Sequence, residues 1–316
     1  MTAILLREQE QTIALKVEST YGTEEAPTGA NALLVHDITV RALEGDVAEL
    51  NNMVGFLGHQ GSARINTYCS VEFSIYLNAS GEAGVAPAYS AVYEISSHAG
   101  VVTADTSVDY TLATSDQDSG TIFYMVGEHK HTLLGVRGSI SFGFSSTGLP
   151  MLKFSGLGLY KAPEKVIGGL TGINFAGVLK PLPWTKATVQ DFTLHGVALN
   201  GATFDFAQAM PAEYLALIGQ EEIVQSSRKS TMSVKFREED VGVDNWWEIA
   251  RANTVDEFSM QHGIDVTHDG RIFQFAAPAV EVANVERGFE KGIAMLTLSC
   301  NVIATAKGND YTFAHL

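Results

Sequence analysis

Several stretches of the chain alternate strictly between apolar and polar residues. Cys69, Val71, Phe73 and Ile75 point one way along residues 69–76, and Ser70, Glu72, Ser74 and Tyr76 point the other. Because side chains on a strand alternate between two faces, this predicts strands with one buried and one wet face. Met232, Val234 and Phe236 alternate in the same way with Ser233, Lys235 and Arg237, as do Leu296, Leu298, Cys300 and Val302 with Thr297, Ser299 and Asn301. Helical spacing is scarce. A helix is expected from Ala88 to Ala99, after Pro87 and before Gly100, and a second through Trp246, Trp247 and Ile249, capped by Asp244. A short third helix is expected over residues 211–218, with Pro211 in its first turn and Gly219 closing it. The pattern therefore predicts a mostly β protein, each β domain carrying one flanking helix.

Self-comparison adds a tandem duplication. LVHDITV at 34–40 matches TVQDFTL at 188–194, and FLGHQ at 56–60 matches LIGQE at 217–221. CSVEF at 69–73 matches MSVKF at 232–236, VYEI at 92–95 matches WWEI at 246–249, and MLKFSGLGLY at 151–160 matches MLTLSCNVIA at 295–304. Each match is weak alone, but the five keep their order. Residues 161–184 hold three of the eight prolines and four glycines, a linker composition. The expected organisation is an N-terminal arm at 1–33, a first domain at 34–162, a linker at 163–184 and a second domain at 185–316. Loops 43–64 and 197–229 are longer than a compact domain needs, which marks them for contacts.

Charge narrows the function. The 316 residues carry a formal net charge of −16, which opposes tight gripping of nucleic acid. The acidity is spread along the chain, with 8 basic against 17 acidic residues in 1–163 and 12 against 19 in 164–316. Charges at Arg7, Glu8 and Glu10 interrupt the only apolar run near the start, so no signal peptide and no membrane span are expected, and the compartment reads as cytoplasmic. Cys69 and Cys300 sit inside alternating apolar runs and read as small buried hydrophobes rather than a disulfide.

Motifs for catalysis fall short of a set. His129 and His131 in GEHKH would share one strand face, but no third ligand lies near, and a polar hairpin explains them. Asp265, His268 and Asp269 lie in GIDVTHDGR, where Asp-Gly is a hairpin signal. SGLGL at 155–159 lacks phosphate-loop spacing and sits in a strand, so its glycines signal close backbone approach. Trp246 and Trp247 could stack on a sugar, which leaves a two-domain glycan- or surface-binding module as an alternative, although a packing face reads better. No enzyme, cofactor or metal is expected.

Residues 18–40, ESTYGTEEAPTGANALLVHDITV, resemble the opening of the major tail tube proteins of long-tailed, non-contractile phages. The shared features are Tyr21, Gly22, Thr23, Pro27, Asn31 and Ala32 ahead of a strand, and residues 80–95 resemble that family's Gly-rich loop and helix. The resemblance implies β-sandwich domains whose sheets join between subunits into a barrel around a channel for double-stranded DNA, within the virion tail and assembled in the host cytoplasm. A doubled chain would need three copies to place six domains in a ring. Partners implied are the chain itself, the tape measure, tail terminator and distal tail proteins, with DNA passing transiently and no membrane. Tyr21, Gly22, Thr23, Pro27 and Asn31 become candidates for assembly contacts, and Glu72, Ser74 and Lys235 for the lumen wall. A tube protein from a bacterial secretion system is a further alternative.

Overall fold

The computed structural model describes residues 6–115, 117–176, 178–264, 268 and 270–316. It is mostly β, as the alternation predicts. Eight strands run side by side in one continuous antiparallel sheet, in the order His36–Glu44, Tyr68–Tyr76, Met151–Tyr160, His129–Ser145, Gly201–Ala207, Thr231–Arg237, Ile293–Val302 and Phe273–Glu290. The first four come from one half of the chain and the last four from the other.

Two strands are too long for one pair of neighbours and change partner along their length. His129–Ser145 pairs through its first part with Gly120–Val126 and through its last five residues with Gly201–Ala207. A bulge at Leu134/Arg137 lets it do so, and there Gly135 takes φ 57°, a backbone shape that favours glycine. Phe273–Glu290 likewise pairs early with Val255–His262 and is bulged at Val282/Asn284. Beyond Glu281, the side that faced Val255–His262 carries no partner among the described residues.

The two halves repeat one order of pairings. Gln11–Val17 lies on Gly120–Val126 as Val189–Leu194 lies on Val255–His262, and His36–Glu44 lies on Tyr68–Tyr76 as Gly201–Ala207 lies on Thr231–Arg237. A small hairpin interrupts each half at the same place, Val47–Glu49 with Ser62–Arg64 and Glu213–Leu217 with Gln220–Val224. CSVEF and MSVKF occupy corresponding strands, but LVHDITV and TVQDFTL do not: residues 34–40 lead into the eight-stranded sheet, whereas 188–194 lie on the layer behind it.

Other expectations need correction. The third helix is absent; residues 213–217 form a hairpin strand, and Gly219, with φ 91°, supplies its turn. A left-handed glycine ends a helix and turns a hairpin equally well, so the sequence signal was ambiguous. The first helix is only Ser90–Glu94, and from His98 the β-branched run Val101, Val102, Thr103 forms a strand on Ser107–Leu112. The second helix, Trp246–Arg251, is capped by Asn245, not Asp244, through the Asn245 side chain and the Glu248 N–H at 3.1 Å.

The segment read as an arm contains a core strand. Ile13, Ala14 and Leu15 are buried in Gln11–Val17. After it, the buried Glu18 carboxylate accepts four hydrogen bonds, from the Gly22 and Gly135 N–H groups and the Ser119 and Thr121 hydroxyls, at 2.7–2.9 Å. The proline- and glycine-rich segment is packed too: Trp184 is buried, 5.0 Å from Phe144 and 5.7 Å from Phe192 between ring centroids. One apolar cluster runs through both halves, and Phe142, Phe206, Phe273, Phe275 and Phe313 meet at its centre.

The C-terminal strand Thr312–His315 locks the halves together by pairing with Phe273–Glu290 on one side and Ser107–Leu112 on the other. Around it, His98 Nε2 meets the Tyr311 hydroxyl at 2.9 Å and the Tyr93 hydroxyl meets His315 Nε2 at 3.2 Å. Burial disfavours the charged imidazole and pushes both rings down to about 3, and His262 down to about 4. In the unfolded chain these rings take a proton near the ordinary pKa of about 6.5, so the unfolded state binds protons first as pH falls. Stability is therefore full above about pH 6.5 and drops by up to about 1.4 kcal/mol per pH unit for each ring down to its folded-state pKa. Urea unfolding between pH 7.5 and 5 should show this loss, before most carboxylates titrate; a flat profile would count against neutral, buried rings.

A polar sheet face as the candidate functional site

The eight-stranded sheet has one face in the apolar core and one toward solvent. Register sets the composition of the outer face. One row crosses all eight strands: His36, Ser74, Lys153, Ser141, Ala207, Thr231, Asn301 and Glu281. A neighbouring row holds Thr39, Glu72, Ser155 and Ser139, and another Gly143, Asp205, Ser233 and Ser299. The result is a broad surface of short hydroxyls and small residues with isolated charges between them. It is hollowed where the halves meet, into clefts of about 860 Å³ and 420 Å³.

The charges are of both signs. Glu72 is exposed, and Lys235 holds Glu290 at 2.8 Å, which keeps that carboxyl below its usual range chiefly through this hydrogen bond. Asp205 stands over the hollow; partial desolvation by the surrounding walls raises its pKa, and the nearby Lys153 ammonium works against that rise. The face is thus a mixed surface rather than an acidic wall. Ser74, expected on the wet side, lies on that face but is buried beside the edge strand.

The assembly candidates take part in an intrachain brace. The Tyr21 hydroxyl accepts the Ile223 N–H at 2.5 Å, and the Arg137 guanidinium lies 4.6 Å over its ring. Gly22, at φ 68°, donates to Glu18; Pro27 is buried; Asn31 Oδ1 accepts from the Thr28 N–H at 3.0 Å. Thr23, exposed, closes a turn onto Thr20. The brace ties residues 18–31 to the hairpin at 213–224.

Residues singled out for chemistry find structural places. His129 and His131 begin a hairpin strand, and Lys130 between them is buried against Phe123 and Glu164. Asp265 and Asp269 fall outside the described residues. A side chain on Gly156 would come within 2.7 Å of the Arg137 carbonyl, so SGLGL is glycine-rich because two strands pass closely. Trp246 is buried 5.5 Å from Phe236, and Arg287 covers Trp247 at 4.9 Å, so the pair offers no open stacking platform. Sequence reading missed Asp205, although Thr203 and Asp205 alternate with the buried Phe204 and Phe206 in GATFDFA.

Replacing Lys153 with Ala should raise the apparent pKa of Asp205 further, because it removes the one cation that counters desolvation there. Carboxyl titration by NMR would read this directly, and a fall in pKa would contradict the placement.

No helix among the described residues is long and apolar enough to cross a membrane. No curated protein matches the sequence. The family model for phage tail tube proteins matches residues 8–248, most of the chain. With its mostly β fold and its broad polar sheet, the chain belongs to the phage tail tube protein family.

Proposed function

We propose that copies of this chain associate edge to edge into rings, with the polar sheet face toward a central channel, and that rings stack into the tube through which double-stranded DNA leaves the virion. The observation that carries this reading is the continuous eight-stranded sheet, which has one polar face and, among the described residues, an unpaired stretch of backbone at each end. Open edges of this length favour strand addition, and a closed ring removes them. The repeated order of pairings supports an ancestral duplication. Three chains would then present six four-stranded sheets, a pseudo-sixfold ring of the kind a siphovirus-type tube needs.

A surface of short hydroxyls and alternating charges suits passage rather than binding. Tight hold on DNA needs clustered cations to displace counterions from phosphates, and here Lys153 and Lys235 stand among Glu72, Asp205 and Glu290. Screening confines each charge to about 8 Å at physiological salt. Contacts between stacked rings fall to the hairpin loops, where Met53, Phe56, Leu57 and Ile218 are exposed by 73–110%. Tape measure, terminator and distal tail proteins would meet the same surfaces at the inside and ends of the tube.

Negative-stain microscopy and light scattering of the purified protein over a range of concentrations should reveal hollow rings or tubes with threefold or pseudo-sixfold symmetry. Compact monomers at every concentration, together with tails that lack this protein, would sink the proposal.

A further inference from the structure

We infer that the seam between neighbouring copies has a fixed register, in which Glu290 of one copy pairs with Arg41 of the next and Phe289 is buried opposite Ala42. This rests on the edge-to-edge reading above and adds to it the residues that select the partner edge. The two halves of the chain already form one such seam, so the outer one can be derived from it.

The correspondence between the halves is set by register. Glu72 stands opposite Ser155, and Ser155 opposite Ser139, as Lys235 stands opposite Thr297 and Thr297 opposite Glu286. Moving along both strands, Phe142 corresponds to Phe289 and Gly143 to Glu290. On the adjoining strands Asp205 lies opposite Ser233 as Arg41 lies opposite Ser70, so Phe206 corresponds to Ala42. Within the chain, Phe142 pairs with Phe206 and Gly143 with Asp205. Carried to the outer edges, these pairs become Phe289 with Ala42 and Glu290 with Arg41 of a second copy.

Three observations favour that occupant. The backbone of residues 282–290 is unpaired on the side where its counterpart, 141–145, receives Gly201–Ala207, and His36–Glu44 is unpaired on its outer side among the described residues. Phe142 is 2% exposed whereas Phe289 is 76% exposed, an aromatic in a core position with its cover missing. Finally, a Cβ on Gly143 would lie 3.4 Å from Asp205 Oδ1, so side chains at these two positions face each other, and on the outer edges they are a carboxylate and a guanidinium. The opposed charges make the edges complementary between different strands and mismatched for like strands, as a head-to-tail ring requires.

Two full-length chains, one with Arg41→Cys and one with Glu290→Cys, are mixed under assembly conditions and oxidised. Cys69 and Cys300 are buried and free and stay out of the reaction. Cross-strand neighbours lie within reach of a disulfide. The mixture should yield a disulfide dimer that neither chain gives alone, and roughly tenfold more of it than Glu290→Cys mixed with Thr39→Cys, which is displaced by two residues along the strand. Preferential capture by Thr39→Cys would overturn the register, and self-capture of either chain would overturn the head-to-tail pairing. Rings that form without any capture would overturn the seam while leaving the tube reading intact; failure of the unmodified chain to assemble would overturn both. As a check free of cysteine, Glu290→Lys should cut assembly at a fixed concentration by about tenfold, and Arg41→Glu in the same chain should restore it. Loss without restoration would assign Glu290 only to its intrachain pair with Lys235.

Discussion

Every backbone N–H and C=O in this sheet needs a partner, and two strands are too long for their immediate neighbours to satisfy them all. His129–Ser145 solves this by bending at Gly135, giving its first part to the layer behind and its last residues to the other half of the chain. Much else follows from that exchange. It fuses two four-stranded sheets into one eight-stranded surface, sets the register that gathers serines and threonines on one face, and brings Phe142 and Phe144 into the shared aromatic core. Phe273–Glu290 begins the same exchange, but beyond Glu281 the side that faced Val255–His262 has no partner among the described residues. Among the described residues, the sheet is paired through its interior and unpaired along its two outer edges.

Polar braces hold the geometry around that exchange. The Glu18 carboxylate clamps the bulge by accepting the Gly135 N–H, and Arg228 pairs with Asp310 through two hydrogen bonds of 2.8 and 2.9 Å beside the C-terminal strand. A buried charge with all its acceptor sites used costs far less than one left short, so each brace is tied to one arrangement of its neighbours. Movement of the bulge would strip Glu18 of a donor. The first brace fixes the bulge within one half and the second fixes the approach to the C-terminal strand within the other.

The sequence was legible where one face of a strand is wet, because alternation then reports both the strand and its orientation; Glu72, Lys235 and Ser299 could be placed that way. Gln11–Val17 was not, since Ile13, Ala14 and Leu15 are buried in succession and show no period of two. Residues 211–218 failed for another reason: an apolar stripe and a left-handed glycine serve helix and hairpin alike. The role of Asp205 was hidden because it depends on pairing between residues over sixty positions apart, Gly143 with Asp205, which no local pattern encodes. Matching LVHDITV to TVQDFTL misled by favouring sequence likeness over place in the sheet. The strands that correspond by place in the sheet, His36–Glu44 and Gly201–Ala207, share little more than Thr39 and Thr203.

The proposed outer seam would differ from the inner one because of how each would form. The inner seam joins strands of a single chain, where the linking segment keeps the partner at high effective concentration and folding alone selects it. It can rely on apolar contact, Phe142 on Phe206 with ring centroids 6.0 Å apart, and spend no charge on recognition. An outer seam must find its partner from solution, against like edges and shifted registers, and opposite charges are suited to that task because they steer approach and penalise the wrong alignment. A chain with two linked halves can assign these roles to separate residues, Gly143 and Asp205 inside, Glu290 and Arg41 outside. In a single-domain subunit one pair of residues would have to meet both demands at every seam.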